Sequence, residues 1–279
     1  MTNKIAIIIV VYKNYEVLID LLNSFSKQKE QNFHLFICDL SDNKETINQS
    51  AINNSQLTII PCLNKGYSYG VNIGIKKAIH MSYDKFCVLN DDTIVSGDFI
   101  QSLNLSFKNN PSSIIGGKIY YSPGFEYHKN KYDKKEIGNI IWYAGGTVDW
   151  KNSIVKHNGV DEVDNKQFNK YQETEFVTGC LMCFDKKVID KVGFWDESYF
   201  LYFEDADYCE RAKQSDIKLY YHPSIVIWHK NAQSTDGSGS KIHQQYQNKN
   251  QIKFALKYAP FKTKLHIIKN YLMSKIFST

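Results

Sequence analysis

Arginine is almost missing from this chain: Arg211 is the only one among 34 basic residues. Recognition of bases and nucleic-acid phosphates leans on the bidentate guanidinium, so its scarcity argues against a nucleic-acid partner. Long apolar runs are missing too, and none approaches the ~20 residues of a membrane-spanning helix. The opening stretch MTNKIAIIIVVY has neither a long h-region nor a cleavage site and reads as a strand, not a signal peptide. Six cysteines stand at 38, 62, 87, 180, 183 and 209, mostly inside apolar stretches. That is the pattern of reduced thiols in a cytosolic core, and a cytoplasmic location is expected. Cys180 and Cys183 form a CxxC, but no second such pair and no histidine pair completes a zinc site. Acid is absent from the C-terminal region: all 29 acidic residues lie at or before Asp236, and eight lysines follow it. The residues up to Asp236 hold 26 basic against 29 acidic side chains, a net of −3, so a mildly acidic body carries a basic tail.

What remains is an ordinary globular composition rich in aromatics, with 19 Tyr and 16 Phe in 279 residues, enough to bury one sizeable core. KIAIIIVVY (4–12) is continuously apolar and β-branched, the mark of a strand buried on both faces of a parallel sheet. YEVLIDLLNSFSKQ then places apolar residues at 17, 18, 21, 22 and 25, a helical stripe. Strands follow at FHLFICD (33–39), LTII (57–60) and KFCVLN (85–90), with a helix at SYGVNIGIKKAIHM. This alternation predicts an open α/β sheet with right-handed crossovers, whose ligands bind beyond the carboxyl ends of the strands. Three strands end on polar residues there: Tyr12-Lys13-Asn14, Asp39 and Asn90-Asp91-Asp92.

Residues 120–172 change character, being polar and aromatic, with a Gly-Gly hairpin signal in WYAGGTVDW. Such loops suit a substrate held by stacking and hydroxyl contacts. EFVTGCLMCFD returns as a strand, KKVIDKVG as a short helix closed by Gly193, and EDADYCERAKQ as a helix with acids in its first turn. IKLYYHP and IVIWH are two further strands. NAQSTDGSGSK (231–241) reads as a flexible connector.

Adjacent Asp91 and Asp92 at a strand end repel each other and are costly to desolvate, unless a cation and a phosphate lie beside them. WDESYFLYFEDADYCER adds Asp196, Glu197, Glu204, Asp205 and Asp207, and His229 closes an apolar strand. Together they suit displacement of a nucleoside diphosphate. Mg²⁺ or Mn²⁺ on carboxylates neutralises the departing pyrophosphate, and a separate carboxylate takes the proton of the attacking hydroxyl.

In ordered series these segments resemble family 2 glycosyltransferases of the GT-A fold, in the rhamnosyltransferase-like branch, over roughly residues 4–230. IIIVVYKNYEVLIDLLNSF resembles the opening strand and helix, and ICDLSDN the strand whose Asp contacts the nucleotide base. NKGYSYGVNIGI resembles the glycine-bearing helix start that faces the donor, LNDDT the DxD element, and the stretch VTGCLMCFD…GFWDE…FEDADYCER the acceptor strand and ED motif. The resemblance implies a Rossmann-like, mixed and mainly parallel sheet flanked by helices. It divides residues 1–230 into a donor half (about 1–120) and an acceptor half (about 121–230), with 231–279 as connector and helical tail.

By position, the resemblance makes Asp92 the metal-binding Asp, with His229 a third-ligand candidate, and sets Asp91 near ribose or phosphate. Asn90 stands where the first Asp of the motif is expected. Asp205 matches the catalytic base and Glu204 its orienting partner. Val11, Tyr12, Asp39, Asn64, Gly66 and Asn72 match donor-binding positions, whereas Thr178, Gly179, Trp195 and Asp196 match the acceptor side. NKNQ (248–251) stands where relatives carry an Arg-Asn pair. The implied reaction is metal-dependent (Mn²⁺ or Mg²⁺), inverting hexosyl transfer. The donor is UDP- or dTDP-linked rhamnose, hexose or N-acetylhexosamine, and the acceptor a surface glycan or lipid-linked saccharide.

Two alternatives stay open: another GT-A-like nucleotide-sugar enzyme such as a nucleotidyltransferase, and an inactive glycan-binding module. The first usually carries a Gly-rich loop after the first strand, and VVYKNYE has no glycine; the second has no need of a base. In the tail, apolar residues from Phe254 to Phe277 alternate with lysines, and Pro260 breaks the segment in two. This pattern suits peripheral contact with the anionic inner face of the plasma membrane, docking on the enzyme body, or a homodimer through these helices.

Overall fold

The computed structural model describes residues 4–41, 56–128, 130–231 and 241–276. The chain opens with β1 (Ile5–Val11), buried along its whole length. Next comes α1 (Tyr15–Ser26), whose Val17, Leu18, Leu21, Leu22 and Phe25 stripe is buried as the spacing requires. Then follow β2 (Phe33–Asp39), β3 (Leu57–Pro61), α2 (Tyr67–His80) and β4 (Lys85–Asn90). β1 lies between β2 and β4, parallel to both, and β3 is parallel to β2. The β1 run needs no polar face because neighbours and helices cover it on all sides. Its C-terminal end, beside Asp39 and Asn90, lies where the crossovers diverge, the place at which open α/β sheets bind ligands.

The second half extends the same sheet. After β5 (Thr93–Val95) and α3 (Phe99–Asn109) come β6 (Ile114–Tyr121), β7 (Ile141–Tyr143), β8 (Gly146–Asp149), β9 (Ile154–His157) and β10 (Gln172–Glu173). β11 (Leu181–Asp185), α4 (Lys186–Val192), α5 (Glu204–Gln214) and β12 (Leu219–His229) complete it. The spatial order is β10-β12-β6-β11-β4-β1-β2-β3, with β5 paired to β12 and β7 to β6. β11 runs antiparallel to both β4 and β6, and β12 runs parallel to β6.

Several local expectations are corrected. The strand expected from Glu175 begins only at Leu181, because Thr178 and Gly179 form a turn closed by Leu181 N–H donating to Thr178 O at 3.2 Å. Gly145-Gly146 is not a hairpin turn: β7 pairs with β6, β8 with β9, and residues 150–153 make the turn. The two strands expected around Pro223 are one, β12. The register shifts between His222 and Val226, which accommodates a proline that cannot donate to the ladder. α3 and β6 occupy residues 99–121, where no element was expected.

The tail also divides differently. α6 (Lys241–Tyr258) is part of the globule: Phe254 and Ala255 are fully buried, and Phe254 stacks on Trp150 with centroids 5.7 Å apart. Burying one such phenylalanine is worth ~1.5–3 kcal/mol, enough to hold a helix whose first residues are polar. Of the readings open for the segment after residue 230, α6 takes docking on the enzyme body. The expected connector, 232–240, lies outside the described residues. α7 (Phe261–Ile276) follows Pro260 and leaves Phe261, Leu265 and Ile268 exposed. Among the described residues no helix is long and apolar enough to cross a membrane.

Candidate active site

The site assembles where β4 and β12 end and β11 begins. Beyond β4 the chain turns through Asp91 and Asp92, both buried, and Thr93 Oγ1 donates to Asn90 O at 2.8 Å. β5 then runs antiparallel to β12 with Thr93 opposite His229, and Lys230 N–H donates to Asp92 O at 2.9 Å. This pairing brings His229 Nε2 to 3.1 Å from Asp92 Oδ1, across more than a hundred residues of sequence. Trp142 packs edge-on against the His229 ring (4.6 Å, 75°) and against His157 (4.5 Å, 71°). Burial pulls the His157 imidazole down to about 4, keeping it neutral beside His229. Burial, and then the charge of Asp92, push the Asp91 carboxyl well above the ordinary carboxylate range.

A cation would relieve that cost. Asp92 and His229 face each other, Asp91 adjoins them, and His229 Nδ1 is buried with no hydrogen-bond partner among the described residues. No cluster of three or more acidic, histidine or cysteine ligands forms among the described residues. Two ligands fit Mn²⁺ or Mg²⁺ only when phosphate oxygens complete the shell, the usual arrangement for a nucleotide-bound ion. Asn90 is not spare: its Oδ1 accepts from Tyr67 Oη at 2.9 Å.

A second carboxylate pair enters from α5. Gly179 N–H donates to Asp205 Oδ2 at 2.8 Å, and Ala206 N–H to Oδ1 at 2.8 Å. A Cβ at residue 179 would sit 3.3 Å from both Asp205 Cβ and the Trp195 ring, so a larger residue there would have to push these neighbours back by a few tenths of an ångström. Glu204 is buried, and its Oε2 has no hydrogen-bond partner among the described residues. Burial, then the Asp205 charge, push the Glu204 carboxyl well above its ordinary range. Burial also raises Asp205, against the lowering effect of the Gly179 and Ala206 amides. Tyr202 and Phe203, immediately before, are both left-handed (φ 68° and 69°), a conformation costing ~1–2 kcal/mol per non-glycine residue.

Tyr67 joins the two pairs. Its hydroxyl donates toward Asn90 Oδ1 and Gly179 O, at 2.9 and 3.1 Å. Burial raises its pKa far above the usual phenol, with Cys180, Glu204, Asp91 and Asp205 adding to the effect. The aromatic position in NKGY carries this signal in the sequence.

The other expected site residues are distributed unevenly. Val11 and Asp39 lie in register at the ends of β1 and β2. Asp39 accepts from Tyr15 Oη at 2.8 Å and from Ser41 N–H at 3.0 Å. Tyr12 is half-buried beside them, and Asn64 Oδ1 accepts from Gly66 N–H at 3.2 Å at the start of α2. Asn72 departs from its expected donor-facing place. It is buried, and its amide clamps Trp195 by a pair of bonds (2.9 and 3.0 Å) and also donates to Glu197 at 2.9 Å. Thr178 is buried, with Oγ1 3.3 Å from Cys180 N. Trp195 stacks on Tyr208 and keeps a buried Nε1 with no partner among the described residues. Asp196 is turned toward α6: Ser198 N–H donates to it at 3.0 Å, and Lys257 Nζ stands 3.6 Å away. Although burial opposes it, the Ser198 bonds and then the lysines hold its carboxyl below the ordinary range.

A sheet whose strand ends carry a buried acid turn, facing a helix start with a second acid pair, defines an α/β protein with two acid centres at the carboxyl ends of its strands. Over residues 3–248 the chain matches glycosyltransferase like family 2, and it belongs to that family. It is 24% identical over 224 residues to the low-salt glycan biosynthesis hexosyltransferase Agl10 of Haloferax volcanii, covering 78% of this chain and 64% of the relative. It is also 24% identical over 241 residues to the dTDP-rhamnosyl transferase RfbF of Shigella flexneri, covering 82% and 70%. The chain thus spans under two thirds of the first relative's length. Among solved structures it is similar to GalNAc-T7, crystallised with UDP, GalNAc and Mn²⁺, at TM-score 0.63 and 15% identity, covering 81% of this chain and 43% of that one. The fold is GT-A.

Proposed function

We propose that this protein is an inverting glycosyltransferase. It moves a sugar from a nucleoside-diphosphate donor to a hydroxyl of a surface glycan or lipid-linked saccharide. The carrying observation is the pair of buried acid centres, Asp91-Asp92-His229 and Glu204-Asp205, joined through Tyr67. One centre suits a diphosphate and the other a nucleophile.

Asp205 takes the proton of the acceptor hydroxyl. Its raised pKa makes it a better base than an exposed aspartate, and the Gly179 and Ala206 amides hold its oxygens in place. The oxygen attacks the anomeric carbon from the face opposite the diphosphate, the carbon–phosphate oxygen bond breaks, and the configuration inverts. Asp92 and His229 would hold the Mn²⁺ or Mg²⁺, whose chemistry is neutralisation of charge on the departing diphosphate. Asp39 and Tyr12 lie where a base and ribose fit, at the strand ends. The relatives' names support a dTDP- or UDP-linked donor, with rhamnose, hexose and N-acetylhexosamine as the sugars to compare.

The deciding experiment incubates the full chain with a panel of UDP- and dTDP-sugars, Mn²⁺ and saccharide acceptors, and measures nucleoside diphosphate release. Release from one or two donors, dependent on acceptor, is expected. No release from any donor, with pyrophosphate formed from a sugar phosphate and a nucleoside triphosphate instead, would favour the nucleotidyltransferase. Saccharide binding without turnover would favour the binding module.

α7 supports a place for this reaction. Its exposed Phe261, Leu265 and Ile268 recur at helical spacing among Lys262, Lys264 and Lys269, suited to the anionic cytoplasmic face of a membrane where lipid-linked acceptors lie.

A further inference from the structure

The segment carrying the base is strained and has no regular structure of its own, so something must hold it. From one side α2 does so: Tyr67 N–H donates to Phe200 O at 2.8 Å, and Gly66 is so close that a Cβ there would lie 2.4 Å from that oxygen. From the other side the contacts come from α6. Tyr246 stacks on Phe200 (5.1 Å, 19°), and Phe254 packs on Phe203 (5.5 Å). Asn250, buried in the middle of the helix, sends its amide nitrogen to both Leu201 O (2.8 Å) and Tyr202 O (3.0 Å). Two residues past the base, Asp207 is fully buried and accepts from Lys257 Nζ at 2.6 Å, Tyr258 Oη at 2.7 Å and Arg211 Nε at 2.8 Å.

We propose that α6 is a brace for the catalytic carboxylates and that Asn250 is its positioning residue. By holding the Leu201 and Tyr202 carbonyls, Asn250 keeps the left-handed pair Tyr202-Phe203 in the conformation that aims Glu204 and Asp205 at Gly179. The proposal rests on the glycosyl-transfer reading for its kinetic consequences, but not for its structural ones. The chemistry is specific. A two-hydrogen amide donor can serve two carbonyls at once; a carboxylate of the same shape cannot donate to either, and an alanine offers nothing. Two adjacent non-glycine residues in the left-handed region relax unless the peptides on either side of the first, Tyr202, are held, and a glycine at 202 relieves the strain of that residue.

The test therefore combines Asn250→Ala, Asn250→Asp and Tyr202→Gly. Each single variant at 250 should lower kcat by roughly 10-fold or more, with KM for the donor changed less than about 3-fold, as befits a fault at the base and not in donor binding. Hydrogen exchange at residues 200–206 should accelerate in both variants, with β1 and β4 unchanged. Adding Tyr202→Gly to Asn250→Ala should restore a substantial part of kcat, which a general loss of packing would not allow. Wild-type kcat and unchanged exchange in Asn250→Ala, or a double variant no better than Asn250→Ala, would overturn the brace. Should Asn250→Ala fail to fold, Tyr258→Phe carries the test through the Asp207 contact, with exchange at 203–207 as its readout; unchanged exchange there overturns the proposal. If the wild-type chain releases no nucleoside diphosphate from any donor, the glycosyl-transfer reading fails. The exchange result still decides the brace.

Discussion

Gly179 and Asp205 stand 26 residues apart in the chain, yet the glycine's amide hydrogen points at the aspartate's Oδ2 over 2.8 Å. The contact exists because β11 begins at the turn beside β4 while Trp195 stacks on Tyr208 of α5, so a backbone donor before one element meets the first turn of the other. One carboxylate oxygen is thus pinned by the start of β11 and the other by its own helix, which leaves its orientation little freedom.

Asp205→Asn should cut turnover by about 10²- to 10⁴-fold while nucleotide binding stays close to wild type. Steady-state kinetics with calorimetric titration of the nucleoside diphosphate separate the two effects. Wild-type turnover would move the base to Glu204, since Asp207 is enclosed by Arg211, Lys257 and Tyr258. NMR of the product should show the anomeric configuration opposite to that of the donor.

For the Asp92–His229 pair the readout is thermal. Mn²⁺ with UDP or dTDP should raise the Tm of the wild type, and Asp92→Asn should abolish the increment contributed by the metal. His229→Ala should reduce it. An unchanged metal increment in Asp92→Asn would remove that residue from the cation site.

Glu204 makes a pH prediction. Its native pKa is raised by burial and by Asp205, so the folded protein holds this proton more tightly than the unfolded chain. That contribution to stability is fully present below the unfolded carboxylate pKa and is lost as pH rises through the native one. Glu204→Gln removes the charge without removing the shape. At pH 7 the variant should be more stable than wild type by about 1 kcal/mol or more, with the difference shrinking toward pH 4. Denaturant melts at both pH values measure it; a variant less stable at pH 7 contradicts the assignment.

Gly66 lies at φ +100°, and a Cβ there would lie 2.4 Å from Phe200 O and 2.7 Å from its Cα. Gly66→Ala therefore combines a disfavoured backbone with a clash against backbone that cannot swing away. A loss of about 2–4 kcal/mol in urea unfolding is expected. A loss under ~0.5 kcal/mol, ordinary for a surface substitution, would mean the α2 start is not packed this closely.

The α7 face is tested by vesicle flotation. Full-length protein should float with anionic but not neutral vesicles, and 0.5 M salt should reverse it, as expected from ~1 kcal/mol per lysine at the surface. Phe261→Ser with Leu265→Ser should weaken binding while α6 and turnover on a soluble acceptor remain unchanged. Equal recovery in the soluble fraction with both lipids sinks the idea.

The local pattern of the chain settled a good deal. The all-apolar β1 run and the α1 stripe declared a parallel α/β sheet, and the acids at the ends of β2 and β4 marked its strand ends as the candidate site, because period and burial are local properties. The ordered motifs pointed to Asp92, Asp205 and His229 without any coordinate. What pattern could not carry was pairing. Asn72 reads as a polar residue on a helix near the donor, but only the packed structure shows its amide bound to Trp195. α6 reads as a basic tail, since its lysines recur without acids, and only tertiary contact reveals Phe254 in the core and Asn250 on the Leu201 and Tyr202 carbonyls. The physical reason is the same in both cases. Hydrogen-bond partners more than a hundred residues apart, or on an element joined by a long connection, leave no periodicity in the sequence. Their energy comes from groups brought together only when the sheet has closed its order.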